Sequence, residues 1–195
     1  MPRVLVGVPT STSQIHSSTV KCLLSLQALH PDICVFFFSP LTLLSASRSA
    51  IVHKAQSENC SHVLFVDSDM IFPADGLEKF LEADVAIIGA NYSTRVAPFR
   101  PTARVNGNYV QSSSEDTIQK VDVLGLGFTL INRQVFEQIP EPWFSVIWGG
   151  TCYVGEDVFF LNMALNRGYK PYVHHGVSRN VYHVGWKAYA LEAAG

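Results

Sequence analysis

The sequence has little charge and no excess of either sign. Of its 195 residues, 14 are Lys or Arg and 16 are Asp or Glu, so the net charge is only -2 at pH 7. A chain with so small a charge lacks the long-range field that draws proteins to nucleic acids and membrane surfaces. We therefore expect no nucleic-acid partner, and we expect any phosphate group to be bound by a few local side chains.

Cysteine is scarce, and the cysteines share no spacing that indicates a site. None belongs to a C-x-x-C pair, and no His lies at zinc-finger spacing from any of them: Cys22, Cys34, Cys60 and Cys152. This pattern indicates neither a disulfide framework nor a structural zinc ion, and it favours a reducing compartment.

Long apolar runs are missing as well. The first run ends at Pro9, and the run 33–38 is followed at once by Ser39 and Pro40. Both are too short for a signal peptide or a membrane span. These features predict a cytoplasmic protein with no membrane insertion.

The sequence does contain enough apolar residues for one core. Hydrophobic residues make up 48% of the chain and aromatic residues 11%, which is typical of a compact domain rather than a disordered segment. Because we find no repeat or linker, we interpret residues 1–195 as a single domain. The last residues resemble part of a helix, which leaves open that the chain is one domain of a longer polypeptide.

Apolar runs alternate with helical patterns through the first half of the chain. Predicted strands cover residues 3–8, 33–38, 62–66 and 85–90, and predicted helices cover residues 14–29, 43–59 and 75–83. Such alternation implies crossover connections, and hence a largely parallel sheet with helices on both faces.

The second half has a mixed pattern. The turn Asn106-Gly107 predicts a hairpin within residues 102–110, and residues 140–154 resemble a loop rich in Pro, Gly and Trp. Further strands are predicted at residues 118–124, 128–131, 169–174 and 180–183, and further helices at residues 132–139 and 155–167. The predicted fold class is therefore α/β, with a central mixed, mainly parallel sheet flanked by helices.

Two carboxylates follow directly after the third predicted strand, at Asp67 and Asp69. Ligand crevices of open α/β sheets lie at this end of the strands. Residues two apart on an extended segment point the same way, so both carboxylates can face one divalent cation and, through it, the phosphates of a nucleotide. The alternative is an ordinary turn, because Asp and Ser favour turns and helix N-caps. The position after a buried strand favours the metal site.

Several segments along the chain carry a family resemblance in a fixed order. They are VGVPT, SASRSAIVHKA, LFVDSDMIFP, LGLGFTLINRQVF, GEDVFFLNMALNRGYK and VYHVG. Together they resemble the GT-A glycosyltransferases, including viral members that modify capsid glycans. In this family a DXD motif holds Mn²⁺ or Mg²⁺ against the diphosphate of a nucleotide sugar. The resemblance implies a GT-A, Rossmann-like fold and, for a viral enzyme, the host cytoplasm.

The resemblance implies a metal site formed by Asp67, Asp69 and His183. A mixed shell of oxygen and nitrogen suits Mn²⁺ better than Mg²⁺, which prefers oxygen and water. The alternative for His183 is a structural imidazole. His174 and His175 are adjacent, so on a strand they point to opposite faces and are not expected to share an ion.

Glu156 and Asp157 open the predicted helix 155–167, where acidic residues commonly complement the helix dipole. The resemblance instead places them on the acceptor side of a catalytic site. There Asp157 would be the base that removes the proton of the attacking hydroxyl. Glu156 would contact the acceptor or the donor sugar.

The resemblance assigns further residues to the nucleotide-sugar donor, together with Asp67 and Asp69. They are Val8, Pro9, Thr10, Ser11, Arg48, Ser68 and Gly127. Glycine at position 127 would allow the backbone to approach the donor sugar closely. The alternatives are an ordinary strand exit for residues 8–11 and a solvated helix arginine for Arg48.

Three aromatic residues in the loop 140–154 could form a stacking platform for an acceptor sugar, or could instead cover the core. They are Trp143, Trp148 and Tyr153.

The reaction implied is metal-dependent transfer of a hexose or deoxyhexose from a nucleoside-diphosphate sugar, most often a UDP sugar, to a hydroxyl of a glycan on a protein or lipid. Inversion and retention both stay open. A first alternative is a sugar nucleotidyltransferase, which usually has a Gly-rich basic loop after its first strand, whereas residues 10–13 contain neither Gly nor Lys. A second is a non-catalytic module that binds nucleotide sugars or glycans.

Overall fold

Strands and helices alternate through the first half of the chain. The computed structural model describes residues 2–10, 14–95, 97–113, 115–185 and 188–189, so Ser11 lies outside the described residues. The first elements are β1 (Val4–Pro9), α1 (Ser17–Leu29), β2 (Cys34–Ser39), α2 (Leu44–Ser57), β3 (His62–Val66), β4 (Met70–Ile71), α3 (Gly76–Glu82) and β5 (Ile87–Gly89). The four strands and three helices predicted for this half are confirmed. The short strand β4 is an addition that no apolar pattern indicates.

The second half holds shorter strands. Its elements are β6 (Arg104–Val105), β7 (Asn108–Tyr109), β8 (Ile118–Lys120), β9 (Phe128–Asn132), α4 (Arg133–Gln138), β10 (Ile147–Trp148), β11 (Tyr153–Val154), α5 (Glu156–Asn166), β12 (Pro171–His174), α6 (His175–Ser178), β13 (Tyr182–Val184) and β14 (Ala188–Tyr189). The predicted hairpin is confirmed as β6 and β7. Asn106 and Gly107 have φ of 49° and 78°, as a tight hairpin turn requires.

Two predictions for this half are wrong. Residues 140–154 are not a plain loop, because β10 and β11 pair there as an antiparallel hairpin. The helix α6 follows β12 directly, where no helix is predicted. Both elements are too short to produce a periodic apolar pattern.

The central sheet has seven strands in the order β2-β1-β3-β9-β5-β12-β8. Five of them, β2, β1, β3, β5 and β12, run in one direction, and β9 and β8 run in the other. Strand β9 lies between β3 and β5, with Leu130 opposite both Leu64 and Ile88. The prediction of a mixed, mainly parallel sheet is therefore confirmed.

Side chains of the central strands alternate between two core layers. Leu5 and Phe65 face one layer with α2, α4 and α5, whereas Val6 and Leu64 face the other with α1 and α3. All four side chains are fully buried. Since consecutive residues of a strand point to opposite faces, helices on both sides leave neither face of the sheet uncovered. Within the described residues, no helix is long and apolar enough to cross a membrane.

Candidate functional site

The site lies where the parallel strands β1 and β3 end at the same edge of the sheet. Asp67 follows β3 directly, and its backbone N–H donates to the Gly127 carbonyl (2.9 Å), so it extends the pairing of β3 with β9. Two residues later, Asp69 precedes β4, which pairs antiparallel with β13. The Val184 N–H also donates to the Asp69 carbonyl (2.7 Å). These backbone contacts hold His183 beside the Asp67–Asp69 turn.

Asp69 and His183 face each other across a short gap. The distance from His183 Nε2 to Asp69 Oδ1 is 3.4 Å, and the side chains are 15% and 23% exposed. His183 Nδ1 lies 3.3 Å from the Ser93 carbonyl oxygen. Because a carbonyl only accepts, Nδ1 carries the hydrogen and Nε2 is the ring nitrogen that faces the carboxylate. Between Nε2 and Asp69 Oδ1 there can be either a proton, which makes the contact a charged hydrogen bond, or a metal ion.

Asp69 has a second cationic partner in Arg95, whose Nη1 contacts Asp69 Oδ2. Burial alone would raise the pKa of Asp69, but the hydrogen bond from His183 and the charges of His183 and Arg95 outweigh it. The pKa of Asp69 therefore lies below its ordinary value, and the carboxyl group is ionised at neutral pH.

Asp67 is paired differently, with an arginine inside the protein. Arg48, on the inner side of α2, is 2% exposed, and its Nη2 donates to Asp67 Oδ1 (2.9 Å). Its Nη1 donates to the Leu126 carbonyl (3.3 Å), and its Nε lies 3.4 Å from Glu156 Oε1. Burial would lower the pKa of Arg48, but Asp67 and Glu156 raise it overall. Arg48 is therefore a permanent internal charge that joins two acidic segments distant in sequence.

This placement overturns the alternative of a solvated helix arginine, because Arg48 is 2% exposed. The guanidinium is enclosed, and Nη1 and Nη2 donate to protein oxygens, whereas Nε is buried without a hydrogen-bond partner. The helical pattern of residues 43–59 did not show that this arginine lies on the inner face of α2. A positioning role for Arg48 fits the structure, and its contact with the nucleotide stays a prediction.

Glu156 and Asp157 form the first turn of α5. Glu156 is directed at Arg48 and is 15% exposed. Asp157 Oδ1 accepts from the Val158 N–H (2.7 Å), so Oδ2 is the oxygen left for another partner. The structure thus brings Asp67, Glu156 and Asp157 to one edge of the sheet, as the resemblance implies.

Tyr92 belongs to the same edge and was not predicted. Its side chain is 5% exposed, and its hydroxyl accepts from the Gly127 N–H (2.9 Å). A Cβ atom at position 127 would lie 2.6 Å from this hydroxyl and 3.0 Å from Asp67 Oδ2, so glycine is required there. Burial raises the pKa of Tyr92 far above its ordinary value, which keeps the phenol protonated. The only sequence signal was its position just after the strand predicted at residues 85–90.

In the predicted donor-binding segment 8–11, the three described residues are buried. Val8, Pro9 and Thr10 are all buried, and Thr10 donates to the Ser39 carbonyl through both its N–H (2.8 Å) and its hydroxyl (3.3 Å). Contacts between these residues and a ligand would therefore come from the main chain. Ser68 is half-buried, and its carbonyl accepts from the His16 N–H (2.8 Å), which anchors the start of α1.

The predicted aromatic platform needs one correction. Trp143 is 3% exposed, and its indole N–H lies near the carbonyls of Phe136 (3.1 Å) and Ile139 (3.0 Å), so it is a core residue. Trp148 and Tyr153 are 60% and 73% exposed and contact each other edge to face across the β10–β11 hairpin, with ring centroids 5.2 Å apart. Of the three predicted residues, Trp148 and Tyr153 are therefore the ones exposed to a ligand.

Solved structures share the fold on which this arrangement lies. A197 from STIV matches with a TM-score of 0.65 and 18% identity, over 94% of this chain and 86% of that one. GalNAc-T7, a GT-A glycosyltransferase solved with UDP, GalNAc and Mn²⁺, matches with a TM-score of 0.57 and 12% identity, over 98% of this chain. The chain has the GT-A fold.

The likeness to known proteins concerns the GT-A fold and not the sequence. This chain spans 45% of the GalNAc-T7 chain. A glycosyltransferase involved in the glycosylation of the major capsid of PBCV-1 is a weaker match, with a TM-score of 0.41 and 13% identity over 70% of this chain and 63% of that one. No protein-family profile matches the sequence, and no curated protein matches it.

The residues at the edge of this GT-A sheet fit a divalent ion in part. Within the described residues, no group of three or more His, Cys, Asp or Glu side chains converges closely enough to hold an ion. Asp69 and His183 do converge, with one oxygen and one nitrogen facing each other, while Asp67 is held by Arg48. Divalent ions at phosphate sites commonly take one or two protein ligands and complete their shell with phosphate oxygens and water. The pair therefore fits a metal that arrives with a phosphate ligand.

A separate cavity of about 520 Å³ lies at the opposite edge of the GT-A sheet. It is lined at the amino ends of β3 and β5, by His62 and Ala86 among others. Ligands of open α/β sheets bind at the carboxyl ends of the strands, so we assign this cavity no part in the site.

Proposed function

We propose that the chain is a metal-dependent glycosyltransferase that moves a hexose or deoxyhexose from a nucleoside-diphosphate sugar to a hydroxyl of a glycan acceptor. The observation that carries this proposal is that Asp69, three residues after β3, faces His183 on β13 at the ligand-binding edge of a GT-A fold. A UDP sugar is the favoured donor, and GalNAc-T7, which shares the fold, was solved with UDP and Mn²⁺.

Asp69 and His183 would hold the metal, and the imidazole favours Mn²⁺ over Mg²⁺. When bound, the ion supplies Lewis-acid stabilisation to the departing diphosphate. Asp67 has one oxygen committed to Arg48 and the other beside Gly127, so it would shape the donor pocket and take part in the metal shell only through that second oxygen.

Asp157 is the proposed base. A carboxylate within hydrogen-bond reach can accept the proton of an attacking hydroxyl, and Oδ2 of Asp157 is the oxygen not used by the Val158 N–H. Glu156 is bound to Arg48, which suits a fixed contact with the sugar better than proton transfer. Trp148 and Tyr153 would stack on an acceptor glycan carried by a protein or a lipid.

A thermal-shift panel tests the donor side. UDP, GDP, CDP and dTDP are each added with Mn²⁺ and with a chelator. A ligand that binds only the folded protein raises its apparent stability by mass action. We expect one nucleotide, UDP by preference, to raise Tm only with Mn²⁺. If none raises Tm in the presence of metal, the transferase assignment fails.

The variant Asp157→Asn tests the acceptor side. The amide oxygen can still accept from the Val158 N–H, but it cannot take up a proton at neutral pH. We expect sugar transfer to fall by about 100-fold or more while nucleotide affinity stays unchanged. Asp75→Asn is the control, because Asp75 is 53% exposed and pairs only with Lys79 (3.6 Å) among the contacts described. Transfer that persists in Asp157→Asn would exclude Asp157 as the base.

A further inference from the structure

Arg95 stands at the start of a loop whose base is tied together. The Thr94 N–H donates to the Arg100 carbonyl (2.9 Å), and the Arg100 N–H donates to the Thr94 hydroxyl oxygen (3.1 Å). Ser93 and Pro101 form a β-bridge just outside these two bonds. These contacts hold Thr94, the residue before Arg95, in place beside Ser93, whose carbonyl faces His183.

The two arginines that pair with the Asp67–Asp69 turn differ in their freedom to move. Arg48 is 2% exposed and is fixed by several partners, whereas Arg95 is 49% exposed and its ion pair is with Asp69. Exposed ion pairs contribute little to stability, since water and salt compete with them. Arg95 can therefore leave Asp69 at small cost, and Arg48 cannot leave Asp67.

The charges at this edge of the sheet indicate which group Arg95 could bind after it leaves Asp69. The edge of the sheet holds Asp67, Asp69, Glu156 and Asp157, and Arg48 compensates only the first and the third of these directly. A diphosphate would add further negative charge to the same edge. A guanidinium that is within reach, exposed and able to form two parallel hydrogen bonds is well suited to a phosphate.

We propose that Arg95 is a diphosphate-binding residue. In the ligand-free protein it neutralises Asp69, and when a divalent ion takes its place on Asp69 the guanidinium pairs with the diphosphate of the donor. This inference rests on the proposed function. Besides the metal, Arg95 would then be a second positive charge at the leaving diphosphate. It would pair with Asp69 before the donor binds and with the diphosphate afterwards.

Isothermal titration calorimetry of Arg95→Gln tests both halves of the exchange, with Arg100→Gln as a matched control. Arg100 belongs to the same loop, but its guanidinium binds the Tyr109 hydroxyl (3.0 Å) and not Asp69. The probes are Mn²⁺ alone, uridine, and the nucleoside diphosphate that gives the largest shift in the panel above, at saturating Mn²⁺. Arg95→Gln should bind Mn²⁺ alone about threefold more tightly, because Asp69 has lost a competing partner.

The same variant should bind the nucleoside diphosphate roughly tenfold more weakly, because a charge-assisted contact is lost, and uridine as tightly as the wild type does. Arg100→Gln should match the wild type with all three probes. Unchanged affinity for the nucleoside diphosphate in Arg95→Gln, or an equal loss in Arg100→Gln, would overturn the inference while leaving the proposed function intact. If wild-type protein binds neither Mn²⁺ nor any of the nucleotides, the proposed function fails and the inference fails with it.

Discussion

Arg48 is the buried charge on which both acidic segments of the site depend. It is held between Asp67 after β3 and Glu156 at the start of α5. Removing one partner of a buried ionic group is costly, because the remaining charges lose their compensation in a place that water reaches poorly. Arg48 therefore links the geometry of the site to the stability of the fold.

The variant Arg48→Met should lower the free energy of unfolding by about 3 kcal/mol, because Asp67 and Glu156 are left unpaired. Arg3→Met is the control, since Arg3 also pairs with a glutamate, Glu58, but is 49% exposed, and its loss should cost less than about 1 kcal/mol. Urea denaturation followed by circular dichroism measures both. Equal losses in the two variants would show that Arg48 is not a structural centre of the site.

The position of a residue at the edge of the sheet was predictable where the residue directly follows a predicted strand. Asp67 and Asp69 follow a buried run, and His183 and Asp157 came from the family resemblance. The ion pairs of Arg48 with Asp67 and Glu156 were not predicted, because a helical pattern with a weak apolar stripe does not show which way an arginine points. Tyr92 was missed because its contact with Gly127 joins two segments that only the folded sheet brings together.

The hairpin β10–β11 is the element that the local sequence pattern predicted least well. Two strands of two residues give no periodicity. In sequence, Trp143 before the hairpin could not be distinguished from Trp148 and Tyr153 within it. The fold separates them by burial, with Trp143 packed edge to face against Phe136 and Trp148 exposed on the hairpin. Whether one of these side chains is buried depends on how distant elements pack together, and no local sequence pattern shows this.

This difference predicts opposite outcomes for two tryptophan variants. Trp143→Ala should lower the free energy of unfolding by about 3–5 kcal/mol, because a large core side chain is lost. Trp148→Ala should change it by less than about 0.5 kcal/mol, because the side chain is on the surface. If Trp148 contacts the acceptor, its variant should instead raise KM for the acceptor. Urea denaturation measures the stability of both variants, and acceptor titration measures KM for Trp148→Ala. A strongly destabilised Trp148→Ala would contradict the placement of Trp148 on the surface.

At the scale of the whole molecule, the alternation of apolar runs and helical patterns was sufficient to predict an α/β fold. The insertion of β9 between β3 and β5 was not predictable, because antiparallel pairing with two distant strands leaves no local trace. It nevertheless positions the site, since β9 begins beside Gly127 and Asp67. Fold alone does not determine chemistry, and the assignment of a reaction depends on the residues at this edge.

The role of Asp69 as a metal ligand is tested most directly by calorimetric binding of the preferred nucleoside diphosphate. The proteins compared are the wild type, Asp69→Asn and the surface control Asp75→Asn, each with Mn²⁺ and with a chelator. We expect binding that requires Mn²⁺, that is weakened at least about tenfold in Asp69→Asn by loss of a charged metal ligand, and that is unchanged in Asp75→Asn. Equal affinity in Asp69→Asn and wild type, or binding that is indifferent to the chelator, would contradict this role.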